Sequence, residues 1–149
     1  MLPAVEFYHP EVWEASELAA NLRDQDVAEM QALGVADPTA SIEWGIRNSS
    51  TCWAARAEGK LGCIFGAVNG VVWMLGTPLV VKYRRNLAAQ APGYIKQMLQ
   101  THGHLYNVVH AKNTNAVRWL KRAGFRLHEA APFGPHGEMF HFFEMTNDV

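Results

Sequence analysis

"NTNAVRWLKRAGF", residues 113–125, contains a helix start, an amphipathic run and a stop. Asn113 and Asn115 have short polar side chains that can accept from the free N–H groups of a first helical turn. Ala116, Trp119, Leu120 and Ala123 then recur at the three- and four-residue spacing of a buried face, while Arg118, Lys121 and Arg122 fall opposite. Gly124 supplies the left-handed conformation that ends a helix, and the basic last turn complements the helix dipole. A helix of about three turns is therefore predicted, with a new element starting at Phe125.

Working outward, Leu105 to His110 reads as a buried strand before this helix. Phe125 to His128 and Glu138 to Met145 read as a closing pair of strands around the loop "APFGPHGE". At the other end, Val5 to Tyr8 suits a first strand. Two helices follow, Glu11 to Leu22 and Asp24 to Leu33, the second with Val27, Met30 and Leu33 on its apolar face. Asp37 before Pro38 can cap one more short helix carrying Ile42 and Ile46.

From Thr51 the pattern changes to strands. "TCWAARA" and "LGCIFGAV" flank a Glu58-Gly59 turn, and "AVNGVVWML" holds the Asn-Gly pair that favours a type I′ hairpin. Pro78 opens a long helical pattern through Val80, Tyr83, Leu87, Ala91, Tyr94, Ile95 and Met98, with Pro92 expected to kink or break it at the carbonyl of Ala88. A strand, crossover helix and returning strand between Val71 and His110 make those two strands parallel.

The 149 residues, 49% of them hydrophobic, are expected to form one α/β (α+β) domain with a mixed sheet. Thirteen basic against fourteen acidic residues give no field for nucleic acid. No apolar run spans a bilayer and the start lacks the pattern of a signal peptide, so a cytoplasmic protein is expected. Cys52 and Cys63 then read as buried thiols, and the seven histidines lack tight metal-ligand spacing.

The element order, together with "NTNAVRWLKRAGF", resembles the GCN5-related N-acetyltransferases (GNAT). That family commonly shows N-x-x-A-x-x-x-Y-x-x-x-G-F in this helix, and Asn113, Ala116, Gly124 and Phe125 stand at matching positions. The order covers almost the whole chain. The "VVWML" strand leading into a basic helix is similar, more narrowly, to small acetyltransferase-like proteins of short-tailed phages, some described as internal virion proteins. The family resemblance implies acetyl-CoA as co-substrate, a diphosphate cradle after the fourth strand and a tyrosine acid in the last helix.

The chain departs from that pattern twice. The family's Q/R-x-x-G-x-G/A loop aligns with "YRRNLAA", where Asn86 and Leu87 stand in place of glycines, and the tyrosine position holds Leu120. Lys82, Arg84 and Arg85 supply charge for a diphosphate or form a solvated helix face. Leu75 and Thr77 offer backbone groups to the pantetheine arm, and Asn113 matches the family's asparagine. Alternative acids are Tyr83, Tyr94 and Tyr106, all in apolar patterns. For a base, Glu43 and His110 remain. His110, at the carboxyl end of a parallel strand, is the better placed, although a strand-end histidine is also an ordinary polar residue.

Three readings follow. The first is an acetyl-CoA-dependent N-acetyltransferase acting on an amine or protein substrate. The second is an inactive protein of the same fold that binds virion or host proteins. The third, compatible with either, is a homodimer through the aromatic strand "EMFHFFEM".

Overall fold

The computed structural model describes residues 4–147. Its centre is an eight-stranded mixed sheet in the order β1-β2-β3-β4-β5-β8-β6, with β7 also paired to β8. The chain runs β1 (Glu6–Tyr8), α1 (Glu14–Ala20), α2 (Asp24–Ala32), α3 (Pro38–Asn48), β2 (Thr51–Ala57), β3 (Lys60–Val68) and β4 (Val71–Gly76). It continues through α4 (Leu79–Lys82), α5 (Arg84–His102), β5 (His104–His110), α6 (Thr114–Ala123), β6 (Arg126–Leu127), β7 (Ala131–Phe133) and β8 (Glu138–Thr146). No helix among the described residues is long and apolar enough to cross a membrane.

Local chemistry accounts for many of these boundaries. Asn69 and Gly70 both take positive φ between β3 and β4, the backbone that a two-residue I′ turn requires. The Asn113 side chain accepts from Ala116 N–H, and Gly124 at φ +103° ends α6. Asp37 accepts from Ala40 N–H to start α3, which runs eleven residues and is longer than the short helix expected.

Each face of the sheet carries its own core. On one, Trp53, Ala67, Leu105, Val109 and Phe143 pack with Ile95 and Met98 of α5 and Leu120 of α6. On the other, Cys52, Ala54 and Ile64 pack with Ala15 and Leu18 of α1 and Ile42 of α3. Burial of these apolar surfaces is what holds the helices to the sheet.

Three features differ from the sequence reading. The helical stretch after Pro78 breaks at Tyr83, where φ −103° and ψ 21° separate α4 from α5, and α5 runs on through Pro92. Tyr83 and Lys82 both reach Glu58 in the β2–β3 turn (2.7 and 2.5 Å), which ties the short helix down. Pro92 and Ala88 are exposed, so water can satisfy the carbonyl that Pro92 leaves unpaired. A third closing strand, β7, forms inside the expected loop. In α2, Val27 is exposed while Asp26 is buried, because this helix turns a polar edge toward the sheet.

Candidate functional site

The polar edge of α2 faces a fork in the sheet. β4 and β5 are parallel neighbours joined at Val71 and Tyr106, where Tyr106 N–H donates to Gly70 O at 2.9 Å. The ladder stops there, although β4 continues to Gly76 and β5 to His110. At the base of the fork, Asn107 replaces the missing backbone pairs. Its Nδ2 donates to Val72 O (2.5 Å) and its Oδ1 accepts from Val108 N–H (2.7 Å).

Alternation along an antiparallel ladder fixes which backbone groups line this opening. Val72 O and both polar groups of Gly76 point away from β3, so those of Met74, between them, do the same. Leu75, predicted to serve a pantetheine arm, turns its backbone toward Ile64 of β3 instead. Met74 is the residue of β4 whose N–H and C=O are presented to the fork, while its side chain, 37% exposed, lies on the face covered by α5 and α6.

Helix α2 spans the fork's open end with two carboxylates one turn apart. Asp26 accepts from Gly76 N–H at the end of β4 (2.9 Å) and pairs with Arg23 (3.0 Å). Glu29 accepts from His110 N–H at the end of β5 (2.6 Å). Burial pushes both carboxyls above their ordinary range. The Arg23 charge and the Gly76 N–H pull Asp26 back, and the His110 N–H pulls Glu29 back while Asp26 pushes it further up.

His110 stands at the fork mouth, where the sequence reading put it, but its ring is occupied. Nδ1 accepts from Lys112 N–H (3.1 Å) and Nε2 lies 2.7 Å from Glu138. Those partners assign the proton of the neutral ring to Nε2 and leave no lone pair free for a substrate proton. The ring therefore orients the start of β8 against the end of β5. Asn113 caps α6 and lies near enough to Glu29 to favour its charged form, so His110, Asn113 and Glu29 form one cluster.

The other sequence candidates lie along the chain after β4. Thr77 is buried, its hydroxyl donating to Leu61 O (3.0 Å) and its N–H to Gly62 O (2.9 Å), which locks the β3–β4 joint. Thr77 and Lys82 line an open groove of about 410 Å³ with Glu17, Asn21 and Lys60, apart from the fork. Lys82 pairs with Glu58, and Arg84 and Arg85 are exposed in the first turn of α5. The break at Tyr83 gives that 19-residue helix its own free N-terminal amides.

Among the tyrosines, Tyr94 is packed against Phe7, Trp53 and Phe65, Tyr83 donates to Glu58, and Tyr106 stacks near His104 and Phe142. Leu120 is buried in the core. Glu43 lies on α3 beside Arg47 (4.0 Å). Sequence reasoning overlooked Glu29 and Asn107. Glu29 reads as the solvated side of an amphipathic helix, and only its contact with a strand 81 residues away gives it a role.

No protein-family model matches this sequence, and no curated protein matches it. Solved structures do match in fold. An aminoglycoside N(6′)-acetyltransferase from Legionella pneumophila superposes with a TM-score of 0.69 at 12% identity, covering 98% of this chain and 94% of that one. AAC(6′)-Ib, solved with ribostamycin and coenzyme A, gives 0.66 at 13% identity over 97% and 94% of the two chains. A GNAT-family acetyltransferase from Bacillus anthracis gives 0.65 at 13% identity over 98% and 96%. With β4 and β5 forked and α5 and α6 on one face, the chain has the GNAT fold.

Proposed function

We propose that the protein is an acetyl-CoA-dependent N-acetyltransferase acting on a small amine. The observation that carries this reading is the fork, with the Met74 N–H and C=O facing its open side. The amides of a pantetheine arm can pair with such an edge as an added strand would. The free amides of Arg84, Arg85 and Asn86, with the guanidinium groups of Arg84 and Arg85, suit the diphosphate, since a helix N-terminus favours anions even without glycines. Asn113 borders this route on its α6 side, whereas Leu75 turns its backbone to β3 and Thr77 and Lys82 line the separate groove. Because Leu120 has no proton to give, the leaving sulfur obtains its proton elsewhere.

A second reading keeps the fold without the chemistry, in a phage protein that works in virion assembly or host-protein binding. The buried Leu120 and the exposed Phe133, Met139 and Phe142 favour it. Calorimetric titration with acetyl-CoA, paired with thermal unfolding, separates the two. The transferase reading expects micromolar binding and about 2.7 kcal/mol of added stability at a hundredfold excess over Kd. No heat and no thermal shift at millimolar acetyl-CoA would sink it and leave the binding reading.

A further inference from the structure

We infer that Glu29 is the general base, taking the proton from the acceptor amine at the α2 side of the fork. This rests on the transferase reading above and adds the residue that the sequence did not supply.

Position comes first. α5 and α6 cover one face of the fork region, and α2 meets the ends of β4 and β5 through Asp26 and Glu29. A donor bound along Met74 and the start of α5 leaves the α2 end for the acceptor, so the nucleophile arrives beside these carboxylates. The two are not equivalent. Asp26 is fully engaged, with one oxygen shared by Arg23 and Gly76 N–H and the other bound to Arg23. Glu138 is 45% exposed and holds the His110 ring, and Glu43 lies beside Arg47 on α3. Glu29 is half-buried, and its neighbours are Asp26, the His110 N–H and Asn113.

The electrostatic setting suits the task. Burial, together with the neighbouring Asp26 charge, raises the proton affinity of Glu29, while the His110 N–H and Asn113 pull it back. A carboxylate tuned upward in this way takes a proton more readily than an exposed one. The step balances. The neutral amine nitrogen attacks the thioester carbonyl carbon and forms the C–N bond, and its proton passes to Glu29. The C–S bond breaks with its electron pair on sulfur, and Glu29 then releases the proton through solvent to the thiolate. This route needs no hydroxyl at position 120.

The test uses the full chain and Glu29→Gln, which keeps an oxygen to accept from His110 N–H and so preserves the fork. Acetyl-CoA binding is measured by calorimetry. Thiol release is followed from pH 5 to 9 with ribostamycin, spermidine and agmatine as acceptors. Glu29→Gln should bind acetyl-CoA within twofold of wild type, lose kcat/KM by about 10²- to 10³-fold, and lose the acidic limb of the wild-type pH profile. A variant that keeps both rate and limb would show Glu29 to be a clamp only. If wild type binds acetyl-CoA but none of the three acceptors reacts, carboxyl carbon NMR decides. A Glu29 midpoint above the ordinary 4.5 that moves on adding acetyl-CoA supports the base, and one at or below 4.5 overturns it. Absence of acetyl-CoA binding by wild type is the distinct result that fells the transferase reading, and this assignment with it.

Discussion

Asn107 holds β4 and β5 at the point where they separate, one side-chain amide standing in for two backbone groups. Removing it leaves Val72 O and Val108 N–H without those partners at a partly buried site. Asn107→Ala is expected to lower stability by about 1–3 kcal/mol, read from urea unfolding, and to weaken acetyl-CoA binding if the fork receives it. Glu29 and Leu120 make a contrast at the same scale. Leu120 was legible as a core residue because its helix has one clear apolar stripe, and it is 8% exposed. Glu29 was not legible, since nothing local distinguishes it from the surface acids Asp24 and Glu43.

Among the elements, α5 combines a good anchor with a poor interior. Ile95 and Met98 are buried and Tyr94 meets three aromatic rings, whereas Pro92 and Gly93 are exposed in the middle of the helix. A Cβ on Gly93 would meet nothing within 4 Å, so Gly93→Ala should stabilise the protein by about 0.5–1 kcal/mol through the unfolded chain, visible as a higher thermal midpoint. Gly70 is different. Its φ is +87° and an added Cβ would approach His104 O at 2.5 Å, so that turn tolerates only glycine without backbone movement. Helix starts at Asp37 and Asn113 and the Asn69-Gly70 turn were readable because their causes lie within a few residues. The Tyr83 break was not, because its anchor Glu58 sits on another hairpin.

Over the whole molecule, acids of opposite behaviour set the response to pH. The hydrogen bonds of Arg56 hold Glu17 below the ordinary 4.5, and those of His128 and His104 hold Glu144 below it. As pH falls, the unfolded chain takes those protons first, so their stabilisation is present above 4.5 and is lost below it. Asp26 and Glu29, raised by burial, carry the opposite sign: the folded chain takes their protons first, which adds stability as pH falls toward ordinary carboxylate values. Glu17→Gln should therefore lower stability at pH 7 by no more than about 1 kcal/mol, given solvent screening, and should flatten the decline below pH 4.5 in unfolding measured across that range.

Apolar spacing, caps and turn residues, read along the chain alone, determined most helix starts and the three-stranded meander, because those depend on neighbours close in sequence, and the crossover rule made β4 and β5 parallel. The resemblance carried by Asn113, Ala116, Gly124 and Phe125 pointed to the same fold. Tertiary structure alone decided which groups face the fork. The direction of the Met74 backbone follows from pairing with β3, the occupation of His110 from Glu138, and the position of Glu29 from a strand 81 residues away. A polar side chain acquires its role from the burial and partners it meets, and those contacts exist only once distant segments pack together.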